Sequence, residues 1–256
     1  MASTLAPSTS SSGTAGVVVM PGDILDVTER SDRAGLGLLR PAAGGIRAAA
    51  PGVLRRGGLA AGAGGSKLLW VDNVSRRYHP QVDDMVIGTI VEKHSELYRV
   101  DIGLSQPAVL PALAFEGASK RNKPNLEVGQ LMYMRVRVAN KHTEVELTCT
   151  SPLVKTDWVN QGALFGPLNG GFVFTTTGCA ARGLMDNDHP VLELLGTKLA
   201  FELAIGANGR VWVNAEAPAQ TIVVANILQL AETRTPEQLA VMLDRAIKAW
   251  SVEPPK

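Results

Sequence analysis

Three features predict a multidomain chain that is mainly β at first and α+β afterwards. Short strand-like runs recur between Tyr78 and Thr150 at the spacing of a small closed barrel. After Ser151-Pro152 the apolar period lengthens and helix-start signals enter. Ahead of both lies a weaker β pattern broken by Gly/Ala-rich connection. The expected division is a disordered tail at 1–16, a small N-terminal β domain with a flexible loop at 17–75, an OB barrel at 76–151 and a separate α+β domain at 152–256.

Residues 1–16, MASTLAPSTSSSGTAG, carry too little apolar content to fold. They lack a basic stretch followed by an apolar run of signal-peptide length, and nothing elsewhere approaches a membrane span, so the chain reads as soluble and intracellular. GVVVMPGDILDV is expected as a short strand with a turn at Pro21-Gly22. From Ala42 to Gly65 the chain is mostly Gly and Ala around APGVLRRGG, a composition of mobile connection rather than core. KLLWVDN then restarts order as another strand.

Five runs make the barrel: MVIGTIVEK, LYRVDIG, PAVLPAL, LMYMRVRVAN and EVELTCT. In the fourth, Met132, Met134, Val136 and Val138 alternate with Tyr133, Arg135 and Arg137, which predicts one core face and one wet, basic face. A polar loop between the third and fourth runs carries Lys120, Arg121 and Lys123.

In the last part GGFVFTTT reads as a strand, and NDHPVLELLG as a helix capped by Asp188 or Asn187 with Pro190 at its first position. APAQTIVVANILQLAE places Ile222, Val223, Ile227, Leu230 and Ala231 at helical spacing. In the final helix Thr235 caps, Pro236 begins, Gln238 completes a capping box, and Leu239, Met242, Leu243, Ala246, Ile247 and Trp250 form one apolar stripe.

Between these helical segments lies Gly206-Ala207-Asn208-Gly209. A G-x-x-G loop can clamp a nucleic-acid backbone, but such a clamp sits between helices. KLAFELAI before it and RVWVNA after it are strand-like, so the flanks choose a hairpin. With Asn208-Gly209 as a two-residue type I′ loop, Ala207 faces Arg210, Ile205 faces Trp212 and Leu203 faces Asn214. Ala204, Val211 and Val213 make the other face apolar as well. A tip buried on both faces is wedged between domains, so Gly206, Asn208, Gly209 and Trp212 are assigned a structural role.

Lysine and arginine total 25 against 24 acidic residues, so no single-signed field covers the molecule. Cys149 and Cys179 are far apart and lack histidine at metal spacing, which points to core thiols in a reducing compartment. No cofactor or metal is expected. Hydrolysis would need a carboxylate cluster or a histidine pair. Asp83-Asp84 reads as a turn, Asp186 and Asp188 flank a helix start, and His79, His94, His142 and His189 are scattered, so no catalytic residue is assigned. The basic set fares better. Two readings stay open for Lys93, His94, Tyr98, Arg135, Arg137, Lys141 and the Lys120-Arg121-Lys123 loop: convergence on one barrel face that joins phosphate-binding charge to a stacking ring, or an ordinary solvated barrel surface. Contacts of that kind bind single-stranded RNA largely without regard to sequence.

PGVLRR, RRYHPQVDDMVIGTI, LYRVDIG, FEGASKRNKPNLEVGQL, IGANGRVWV and TIVVANIL, in this order, resemble the cap subunits of the eukaryotic RNA exosome. The resemblance runs from about Val17 to Ala231. It implies that the barrel is S1-type and the last domain KH-like, seated on a ring of nuclease-fold subunits around a channel that RNA threads. It further implies a non-catalytic subunit whose partners are RNA and other exosome subunits, with no membrane or small-molecule ligand, found in nucleus, nucleolus and cytoplasm. A free-standing RNA-binding protein for ribosome assembly or translation is the competing reading.

Overall fold

The computed structural model describes residues 17–25, 33–41, 45–58, 67–74, 77–119, 121–140, 142–151, 164–185 and 189–252. The tail at 1–16 and the caps read at Asn187 and Asp188 lie outside them. The chain forms two compact units, Met1–Val74 and Ser75–Lys256.

The first unit has seven short strands: β1 (Val17–Val19), β2 (Ile24–Leu25), β3 (Arg33–Ala34), β4 (Leu38–Leu39), β5 (Ile46–Ala48), β6 (Gly52–Gly58) and β7 (Lys67–Asp72). They make two sheets, ordered β1-β6-β7-β3 and β2-β5-β4. Val19, Ile46, Leu54, Leu69 and Val71 are its core. Here the sequence reading needs correction, because GVLRRGG is β6, one of the two inner strands of its sheet, rather than mobile connection. Pairing with β1 on one side and β7 on the other overrides the poor strand propensity of its glycines.

The second unit opens with β8 (Met85–Lys93), β9 (Leu97–Asp101), β10 (Ala108–Pro111), β11 (Leu131–Val138) and β12 (Glu146–Thr148). Order β12-β10-β9-β8-β11, with β11 paired back to β12, closes a five-stranded barrel. Met132, Met134 and Val136 are fully buried inside it, as their alternation with Tyr133, Arg135 and Arg137 requires. A further strand, β13 (Gly166–Leu168), pairs with the first half of β11, ahead of the stretch that β12 covers.

Next come β14 (Phe172–Thr175), the short helices α1 (Gly178–Leu184) and α2 (Pro190–Gly196), β15 (Phe201–Ile205), β16 (Arg210–Ala215), α3 (Pro218–Leu230) and α4 (Pro236–Val252). The sheet runs β14-β16-β15, and Phe174, Leu195, Val211, Val213, Val224 and Leu239 pack between it and the helices. The cap of α2 is His189, whose ring accepts from the Val191 N–H at 3.4 Å. In α3 Thr221, Val224, Ala225, Ile227 and Leu228 are buried and Val223, Leu230 and Ala231 pack against the same core, so of the stripe read from sequence Ile222 alone is exposed. In α4 Leu239 and Leu243 are buried and Met242 is 38% exposed; the Trp250 side chain lies outside the described part. The barrel and the α+β module fall together in the compact unit Ser75–Lys256. Among the described residues, no helix is long and apolar enough to cross a membrane.

Candidate nucleic-acid interface

The β15–β16 hairpin has a different register from the expected one. Phe201 pairs with Ala215 and Ile205 with Val211, so Trp212 faces Ala204 and Asn214 faces Glu202. The Gly206 N–H donates to Arg210 O at 2.8 Å and the Gly209 N–H to Gly206 O at 2.9 Å. Gly209 has φ +77° while Asn208 stays out of the left-handed region, so the loop is Ala207-Asn208-Gly209 with a glycine bulge, not a type I′ pair.

The barrel explains the extra loop residue. The Ala207 N–H donates to Met85 O at 2.7 Å, and the Asn208 amide donates to Ile87 O at 2.8 Å and Ile102 O at 3.0 Å. Asn208 Oδ1 in turn accepts from the Ile87 N–H at 3.4 Å. Arg210 makes a fork onto Asp101, 2.8 Å to its carbonyl and 2.7 Å to its carboxylate. Burial works to raise the Asp101 carboxyl, but hydrogen bonds from Arg210 and the Gly103 N–H, with the guanidinium charge, hold it below the usual range. Ile87, Ala204 and Trp212 form a small apolar cluster at the joint, edged by Tyr133 and Leu168. The Trp212 indole donates to Gly170 O at 2.9 Å, and the Tyr133 hydroxyl donates to Ile205 O at 3.3 Å. Burial pushes that hydroxyl up to about 12. The G-x-N-G loop is therefore committed to barrel backbone. A Cβ on Gly206 would lie 2.3 Å from Asn208 Oδ1, and one on Gly209 2.5 Å from Thr176 O.

The basic residues do not converge on one face. Arg135 sits opposite Met85 at the start of β8, while Lys93 ends that strand eight residues on, about 26 Å away at roughly 3.3 Å per residue. Arg135 bonds Asp83 at 2.8 Å and Arg137 bonds Glu146 at 3.1 Å, so both charges are matched by carboxylates. Tyr98 is a second correction. It is 2% exposed inside the barrel, and its hydroxyl donates to Pro124 O at 2.7 Å, so its ring is core and cannot stack on a base.

At the Lys93 end, two loops meet. Lys93 Nζ donates to Asn125 Oδ1 and Lys123 Nζ to Ser95 O at 2.6 Å, both neutral oxygens, and among the described residues neither ammonium is paired with a carboxylate. Arg121 is exposed on the same loop as Lys123, and His94 lies 3.3 Å from Glu92. Lys120 and Lys141 lie outside the described residues.

The carboxylates have structural work. Asp84 accepts from the Tyr78 hydroxyl at 2.7 Å and the Gln81 N–H at 3.0 Å, and Asp83 holds the left-handed position of that turn at φ +73°. Among the described residues, no three His, Cys, Asp or Glu side chains gather to hold a metal. Cys149 is fully buried in the barrel, which pushes its thiol up and makes it a core residue.

A closed five-stranded barrel with an α+β module locked to it defines the class of S1/KH proteins. The family model for the S1 domain of exosome complex component RRP40 matches residues 78–158, and a KH domain model matches 171–219. The human exosome complex component RRP40 is 34% identical over 253 residues, covering 90% of each chain. A Dictyostelium discoideum protein assigned as exosome complex component rrp40 is 41% identical over 211 residues, covering 82% of this chain and 84% of its own. A crystal structure assigned to an exosome complex RNA-binding protein shares the fold at TM-score 0.54 and 18% identity, covering 67% of this chain and 98% of that one. The chain belongs to the exosome complex component RRP40 family.

Proposed function

We propose that the protein is a non-catalytic RNA-binding cap subunit of the RNA exosome, guiding single-stranded RNA into the channel of the ring and bracing that ring for RNA processing and degradation. The observation that carries this is family membership along nearly the full chain, through both modules of the second unit. In this reading 17–75 is an N-terminal β module, 76–151 the S1-type barrel and 152–256 the KH-like module. The RNA contact is made by the barrel end where Lys93, Arg121 and Lys123 gather, rather than by the G-x-N-G loop. Support comes from charge: Lys93 and Lys123 lean on neutral oxygens, whereas Arg135, Arg137 and Arg210 are paired with carboxylates. Contacts from such side chains go to phosphates and are indifferent to sequence. The subunit works in nucleus, nucleolus and cytoplasm.

The test is purification of the tagged chain from cell extract. A stable large complex containing the ring subunits is expected. A monomer with RNA-binding activity would favour the free-standing RNA-binding protein instead.

A further inference from the structure

The dipeptide Asn-Gly occurs twice in the chain, at Asn169-Gly170 and Asn208-Gly209, and the fold treats the two copies oppositely. Asn-Gly is the dipeptide most prone to deamidation, because glycine places no side chain in the way of its own backbone nitrogen. That nitrogen, once it has lost its proton, attacks the asparagine Cγ. The N–Cγ bond forms, the Cγ–Nδ2 bond breaks and ammonia leaves. Water then opens the resulting succinimide to aspartate or isoaspartate. No oxidant or reductant enters, and the net change is water in, ammonia out.

Asn169 and Gly170 are both exposed, in the turn between β13 and β14. Gly170 and Gly171 have φ +70° and +71°, and a Cβ on Gly170 would meet nothing closer than 4.0 Å. Among the described residues, neither the Asn169 side chain nor the Gly170 N–H makes a hydrogen bond. The nucleophile is thus solvated and its target free to rotate. At the second copy every reacting group is held. The Gly209 N–H donates to Gly206 O, and the Asn208 amide is anchored at both ends to Ile87 and at its nitrogen also to Ile102. Cyclisation there must first pull the loop off the barrel.

We propose that Asn169 is a site of spontaneous deamidation to isoaspartate in the native protein, and that docking on the barrel shields Asn208 from the same reaction. The change matters locally. Isoaspartate lengthens the backbone just before Gly170, whose carbonyl holds the Trp212 indole, and it adds a carboxylate to a cleft that Glu202 also lines. Isoaspartate at this turn is also a substrate for a carboxyl methyltransferase that transfers a methyl group from S-adenosylmethionine to its α-carboxylate.

The experiment incubates the full chain at mildly alkaline pH, folded in buffer and unfolded in urea. Peptide mass mapping follows the gain of one mass unit at each site, and an isoaspartate-specific methyltransferase with labelled S-adenosylmethionine reports the product. In urea both sites should convert at comparable rates. In the folded chain Asn169 should convert and accept methyl label, while Asn208 is slowed at least about tenfold relative to urea. Asn169→Gln, whose cyclisation needs a larger ring, should remove the label from the folded chain without changing its melting. Three results would each overturn the proposal: a silent Asn169 in the folded chain, a native Asn208 as fast as in urea, or full label on folded Asn169→Gln.

Discussion

Replacing Gly209 with alanine separates a structural loop from an RNA clamp. The glycine sits at φ +77°, and a methyl group there would stand 2.5 Å from Thr176 O. The same backbone pair is hydrogen bonded, with the Thr176 N–H donating to Gly209 O at 2.7 Å, so relieving the clash stretches that bond. Left-handed geometry costs a non-glycine residue about 1–2 kcal/mol, and weakening one hydrogen bond adds about 0.5–1.5 kcal/mol. The total is about 1.5–3.5 kcal/mol. For a cooperative unit of this size that lowers the melting midpoint by about 3–14 °C. Calorimetry on the full chain measures the shift, and fluorescence anisotropy with labelled single-stranded RNA, well below the midpoint, measures affinity in the same preparation. The midpoint should fall while affinity holds. A mutant with an unchanged midpoint and lost RNA binding would refute the argument, because only a clamp behaves that way.

Trp212→Ala empties a buried site and should cost about 3–5 kcal/mol, more than Gly209→Ala, read as a larger drop in midpoint. The folded-state lowering of the Asp101 carboxyl stabilises the native protein at neutral pH, and that contribution is lost as pH falls through the folded value. The difference in midpoint between wild type and Asp101→Asn should therefore be constant from neutral pH down to about 5 and shrink below roughly 4; a difference that grew in acid would contradict the Arg210 pairing. Replacing Lys93, Arg121 and Lys123 with alanine should weaken binding to all RNA sequences alike and reduce the salt slope by about one per lost contact, while replacing Arg135 and Arg137 should leave it unchanged. Equal effects from both sets would return the contact to the strand face.

The barrel was legible because period-two alternation is a local signal, and β9, β10 and β11 follow it closely. The same rule held information about Tyr98 that its residue type obscured. In LYRVDI the tyrosine shares a phase with Val100 and Ile102, both buried, so the ring had to face inward. The basic residues looked convergent only because sequence proximity carries no strand direction; the antiparallel register of β8 and β11 sends Lys93 and Arg135 to opposite ends. The hairpin register was out of reach. Asn-Gly suits both a two-residue loop and a three-residue loop with a bulge, and the choice rests on contacts with Ile87 and Ile102, more than a hundred residues away. Strand β13, reading Gly-Pro-Leu, has no strand propensity and forms because β11 offers an open edge. Strand β6 hid among glycines for the same reason.

The Asn208 amide reaching across to Ile87 and Ile102 decides how the molecule can be taken apart. Cut anywhere between the two modules, the barrel would lose the partners of the Met85, Ile87, Asp101 and Ile102 carbonyls and of the Ile87 N–H, and would expose Ile87, which is fully buried in the whole chain. The other piece would carry Trp212 and Arg210 without Ile87 and Asp101. Neither half is a portable cassette. A fragment study that assigns RNA affinity to one module and stability to the other would be measuring wounded surfaces, and swapping the last module for that of a related protein would succeed only where the donor brings an asparagine at the tip and an arginine two residues beyond it.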